Sequence, residues 1–111
     1  MIVKQGDIYL ANLNPVKGHE QKGFRPVLVI QKSNLSDILN TVVIIPISSN
    51  LKAKGLMMTM FIQKKESGLP KDSVALAFQI RTVDKKRLKK KVGGICERRV
   101  REVKKQIGLL M

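Results

Sequence analysis

A chain of 111 residues can close one hydrophobic core and is too short for two, so a single domain spanning residues 1–111 is expected. With 43% hydrophobic residues it should fold, and with one Tyr, three Phe and no Trp its core must be aliphatic. Twenty-two Lys and Arg against eight Asp and Glu give a net charge of +14, and no apolar run approaches the roughly 18 residues of a spanning helix, which disfavours a membrane protein.

A charge of +14 points to a polyanionic partner. Lysine enrichment for solubility or heat tolerance contributes, but the excess is larger than solubility requires. The charge is uneven: residues 85–111 hold eleven of the basic residues and two of the acidic ones. The lone Cys96 cannot form an internal disulfide, which fits a reducing cytoplasm, and it reads as a small buried hydrophobe. The N-terminus begins a strand pattern directly and shows no signal-peptide apolar stretch.

In chain order, GDIYLANL (Gly6–Leu13) alternates and predicts a half-buried strand. NPVKGHEQKGF is a long polar loop, and long loops in small domains often carry function. Arg25 and Pro26 lead into the strand VLVIQ; KSNLSDILN is a turn-rich connection with at most one helical turn. TVVIIPI (Thr41–Ile47) is a buried strand, with Pro46 marking an edge or bulge near its end, before the polar turn Ser48–Asn50. Leu56–Ile62 and Ser73–Ile80 read as strands joined by the hairpin-type connection KKESGLPKD. RTVDKKRL reads as a turn with a helical piece, and KKKVGGI as a short strand. Val100, Val103, Ile107 and Leu110 recur at steps of three and four, the stripe of a C-terminal helix. The expected fold is mainly β, a small barrel or curled sheet with that helix packed on it.

The residues carry no metal-ligand spacing, no phosphate-cradling Gly-rich loop and no Gly-x-Ser-x-Gly elbow, so neither metal nor cofactor is expected. What remains are cations and hydroxyls at strand–loop junctions. The fork of Arg25 matches phosphate oxygens, and it equally suits a surface phosphate contact or an ion pair with Glu20. RNA cleavage by its own 2′-hydroxyl needs cationic stabilisation, a hydroxyl donor and a proton acceptor, with no metal. Ser48 can supply the donor, although a turn serine bonding its own backbone is the simpler role. His19 titrates near neutrality but, taken alone, is an ordinary loop histidine.

GDIYLANL, GHEQKGFRPVLVI, VVIIPISS and DSVALAFQIRTVDKKRL, in this order and spacing, resemble the MazF/PemK family of toxins from type II toxin–antitoxin systems, over Gly6 to about Leu88. The resemblance implies an SH3-like small barrel with a C-terminal helix and a cytoplasmic homodimer. It further implies sequence-specific, metal-independent cleavage of single-stranded RNA, and neutralisation by an acidic, MazE-like antitoxin. It places Arg25 on the scissile phosphate, Ser48 as its hydroxyl partner, and His19 or Glu20 at proton transfer. Gln21, Lys22, Ser49, Gln79 and Arg81 are then expected to contact RNA. Where some members carry a carboxylate before the Gln, this chain has Phe78, so a carboxylate base is absent there. Two other readings compete: a non-enzymatic gyrase poison of the same fold, which lacks the Arg–Ser pair, and a basic nucleic-acid-binding module without catalysis.

Overall fold

The computed structural model describes residues 2–14 and 23–110. Seven strands form it: β1 Asp7–Asn12, β2 Phe24–Val29, β3 Thr41–Ser48, β4 Thr59–Ile62, β5 Ser73–Leu76, β6 Arg81–Asp84 and β7 Leu88–Gly94. Two single helical turns, α1 Ser33–Ser36 and α2 Lys64–Ser67, precede the one long helix, α3 Glu97–Gly108. Every strand pairing is antiparallel, and the order is β4-β5-β3-β2-β1-β7 with β6 also on β3. The mainly β fold with a C-terminal helix is as expected. The sheet curls without closing, because β4 and β7 do not pair.

The aliphatic runs in β1, β2 and β3 are continuous because both faces of these strands are buried. Tyr9, Ala11, Val27, Val29, Val42 and Ile44 join one core cluster with Val3, Leu13, Val83 and Leu88. Their neighbours Ile8, Leu28, Ile45 and Ile47 join a second, with Met60, Ile62, Leu69 and Val103 of α3. Tyr9 hydrogen-bonds outward: its hydroxyl donates to the Ile2 carbonyl at 3.2 Å. Burial, reinforced by the Asp7 charge, raises the Tyr9 pKa, and Lys91 opposes the shift.

β3 changes partner along one edge. Thr41–Ile44 pairs with β6, and Ile47–Ser48 pairs with β5. Between β5 and β6 the chain makes a 3-10 turn at Ala77–Gln79. Pro46 sits at this changeover, after the β6 ladder has ended and before the β5 ladder begins. The proline thus marks an interruption inside the sheet, not a sheet edge.

The strand expected over Ser73–Ile80 ends at Leu76, where the 3-10 turn begins, and four more local expectations are corrected. Leu56–Met58 is a turn, with Gly55 and Met58 at positive φ, and the strand starts at Thr59, whose hydroxyl ties down the Leu56 carbonyl at 2.6 Å. The connection between β4 and β5 contains α2, held by a capping box between Gln63 and Glu66 and ended by left-handed Gly68. Arg81–Asp84, expected as a turn, is β6, because β3 offers it a ladder. Cys96 is exposed at the N-cap of α3.

Val103 is fully buried and Val100 nearly so, seating α3 on the second core cluster, while Leu110 lies beyond the helix and half exposed. Arg99 locks α3 to the sheet: Nε pairs with Glu66 at 2.9 Å, and the guanidinium also reaches Glu102 and the Phe61 carbonyl. Gln106 donates to the Thr59 carbonyl at 2.7 Å. No helix among the described residues is long and apolar enough to cross a membrane.

Candidate functional site

Two prolines open the site. The β2–β3 ladder runs Val29–Ile44, Leu28–Ile45, Val27–Pro46 and stops there. The next residue of β2 is Pro26, so neither Pro26 nor Pro46 can donate to extend the ladder. Beyond this point β2 stays with β1, pairing Arg25 with Ala11 and Phe24 with Asn12, whereas β3 stays with β5, pairing Ser48 with Val74. The two strands part company, and a cavity of about 170 Å³ lies in the split. Pro26, Ile47 and Leu69 give it an apolar lining, and Phe24, Arg25, Ser49 and Lys71 complete most of the rest.

Continuing the ladder register by two residues would set Arg25 opposite Ser48. In that extended register Arg25 and Ser48 would share one face, and Phe24, Pro26 and Ile47 would share the other. Arg25 is half-buried and lines the cavity. Ser48 is 8% exposed, and its Oγ accepts a hydrogen bond from the Asn50 amide at 3.1 Å. That bond uses a lone pair and leaves the hydroxyl proton as a donor. Ser49 is exposed and lines the cavity where Ser48 does not.

The cavity is cationic. Arg25 and Lys71 line it, and no described lining residue is acidic. Most other described carboxylates are engaged elsewhere: Asp7 with Lys91 at 3.1 Å, Glu66 and Glu102 with Arg99, Asp72 with the Lys64 amide, and Asp84 with the Lys86 amide. Such a site attracts an anion with an apolar portion.

His19, Glu20, Gln21 and Lys22 lie outside the described residues. Gln79, in the 3-10 turn, and Arg81, opening β6, do not line this cavity; Arg81 pairs with Ile44, four residues before Ser48. Phe78 is 47% exposed. Sequence reasoning missed Phe24, Leu69 and Lys71 as site residues. Phe24 adjoins Arg25 in a strand and could have been flagged by that adjacency; Lys71 is brought in by a loop, without a local signal.

Residues 4–111 match the profile of the family described as PemK-like, MazF-like toxin of type II toxin–antitoxin system, a match that extends past Leu88 through α3. Among solved structures, MazF (Form-I) from Deinococcus radiodurans is 25% identical, with a TM-score of 0.85 over 99% of this chain and 96% of that one. A MazE–MazF structure (Form-II) from the same organism, also 25% identical, gives a TM-score of 0.79 over 99% and 96%. An endoribonuclease in complex with its cognate antitoxin from a mycobacterial species is 14% identical, with a TM-score of 0.73 over 97% of this chain and 91% of that one, a likeness of fold.

Proposed function

Because the chain belongs to the PemK-like, MazF-like toxin family of type II toxin–antitoxin systems, we propose that it is an endoribonuclease that cuts single-stranded RNA in the cytoplasm without a metal. The observation that carries this reading is the split between β2 and β3: Arg25 and Ser49 line the cationic cavity there, and Ser48, buried at the end of β3, is the residue next to Ser49. The 2′-oxygen bonds to phosphorus as the bond from phosphorus to the 5′-oxygen breaks. The 2′-hydroxyl proton passes to His19, Glu20 or water, and the departing 5′-oxygen is protonated in turn. Arg25 neutralises charge on the non-bridging oxygens, and Ser48 donates a hydrogen bond to one of them.

Two partners follow from the same reading. An antitoxin with an acidic segment suits a chain of charge +14. A homodimer would cover the apolar strip of Leu56, Met57 and Leu109, which line one surface groove and are 57%, 82% and 73% exposed.

The test is incubation of the purified protein with a long RNA in the presence of a chelator. Fragments ending in 2′,3′-cyclic phosphate are expected. Arg25→Ala should fold normally and cut at least about a hundred-fold more slowly. Unchanged cutting by a folded Arg25→Ala protein would overturn the assignment.

A further inference from the structure

We propose that the cavity beside Arg25 is a subsite for a nucleobase adjoining the scissile phosphate, and that Phe24 is its stacking wall. This inference rests on the ribonuclease reading and names what that site would hold besides phosphate.

Phe24 is 60% exposed although it belongs to a strand. A single exposed apolar residue is ordinary; its surroundings are what distinguish this one. By alternation Phe24 shares a face of β2 with Pro26 and Leu28. That face leads down to the second core cluster, to which Ile47 and Leu69 of the cavity belong. The phenyl ring therefore stands at the open end of an apolar slot with cations Arg25 and Lys71 beside it. A bare phosphate needs cations but gains nothing from Pro26, Ile47 and Leu69. A nucleotide uses both, its base against the aromatic and aliphatic walls and its phosphate on the guanidinium. Single-strand binders combine aromatic platforms with cations in this way.

The remaining aromatics do not compete for this role. Tyr9 is buried, Phe61 lies under the Lys54 ammonium at 4.1 Å, and Phe78 does not line the cavity.

The test uses the full chain with methyl and aromatic side chains observed by NMR. The probes are the four nucleoside 5′-monophosphates, ribose 5-phosphate and inorganic phosphate. Nucleotides should shift the Ile47 and Leu69 methyl signals and the Phe24 ring; ribose 5-phosphate and phosphate should not. Phe24→Ala should weaken nucleotide binding roughly ten-fold or more, and Phe24→Trp should restore it. Phe24→Ala should also raise KM for RNA and redistribute the cut sites. Equal responses to nucleotides and ribose 5-phosphate would overturn the proposal, as would an Ala variant that binds nucleotides like the parent. If the protein cuts no RNA but binds nucleotides in a Phe24-dependent way, the ribonuclease reading falls and the base subsite stands. If cutting depends on Arg25 while Phe24→Ala keeps both KM and cut sites, the subsite falls and the ribonuclease stands.

Discussion

Arg87 donates from Nη1 to the main-chain carbonyl of Asn12 at 3.1 Å, spanning 75 residues of sequence. The same nitrogen reaches the Asn14 carbonyl. Asn12 is the strand partner of Phe24, one residue from Arg25. The end of β1 is further cinched by the Leu13 amide on the Gly23 carbonyl at 2.9 Å and the Gly23 amide on the Asn14 side chain at 3.0 Å. Arg87 thus positions Arg25 through β1 without touching the cavity.

Arg87→Ala is expected to lower stability by about 1–2 kcal/mol, the scale of hydrogen bonds from a charged donor to partly exposed carbonyls. Cutting should slow with little change in KM, because the group bound to phosphate is kept but held less firmly. Arg87→Lys should recover only part of both, since an ammonium lacks the fork. Urea unfolding together with steady-state kinetics checks this; an Ala variant with parental kcat would confine Arg87 to stability.

Substitution can separate the Asn50 contact of Ser48 from its proposed hydrogen bond to RNA. Ser48→Ala removes the acceptor of the Asn50 amide, a loss of about 1 kcal/mol, and should slow RNA cutting about a hundred-fold. Ser48→Thr keeps the hydroxyl and should retain most activity. Rates from Ser48→Ala and Ser49→Ala compared side by side decide the matter. If only the Ser49 variant is slow, the donor is the exposed serine.

Gly93 tests the packing of α2 against β7. A Cβ added there would stand 2.2 Å from the Ser67 carbonyl oxygen, backbone against backbone, whereas one at Gly94 would meet the Gly6 carbonyl oxygen at 3.3 Å. Gly93→Ala should therefore destabilise by about 3 kcal/mol, and Gly94→Ala by clearly less. Thermal melting should separate the two variants; equal melting temperatures would contradict the packing.

Tyr9 makes stability fall at alkaline pH. Its folded pKa lies above the ordinary value. Below about pH 10, the usual tyrosine pKa, both folded and unfolded states keep the proton and the contribution is fully present. As pH rises further the unfolded chain ionises first, so the contribution is lost through the folded pKa. Tyr9→Phe should show a shallower loss of stability than the parent between pH 9 and about pH 12, measured by urea midpoints. Parallel curves would refute the buried-phenol account.

Much of the sheet was legible because aliphatic runs and alternation are local signals. β1, β3 and the α3 stripe were read within a residue or two, whereas β2 begins three residues before its aliphatic run, at Phe24. β6 was missed because four alternating residues beside a lysine-rich turn do not reveal the ladder that β3 supplies. Leu56–Met58 misled because an apolar run looks like a strand until Gly55 and Met58 turn it. Arg25 stood out by its charge beside Pro26. The cavity did not, because it depends on Pro26 and Pro46 ending the same ladder, an alignment set only by register. Lys71 and Leu69 enter from a loop more than forty residues away, for the same reason.

β3 belongs to both core clusters and pairs with three other strands. It is the strand with the most partners, so the amides of Ile44, Ile45 and Ile47 should be among the slowest to exchange with deuterium. Ser48 ends that strand. The serine proposed to contact RNA is thereby mounted on a strand held by three partners, and substrate would have to adapt to its position.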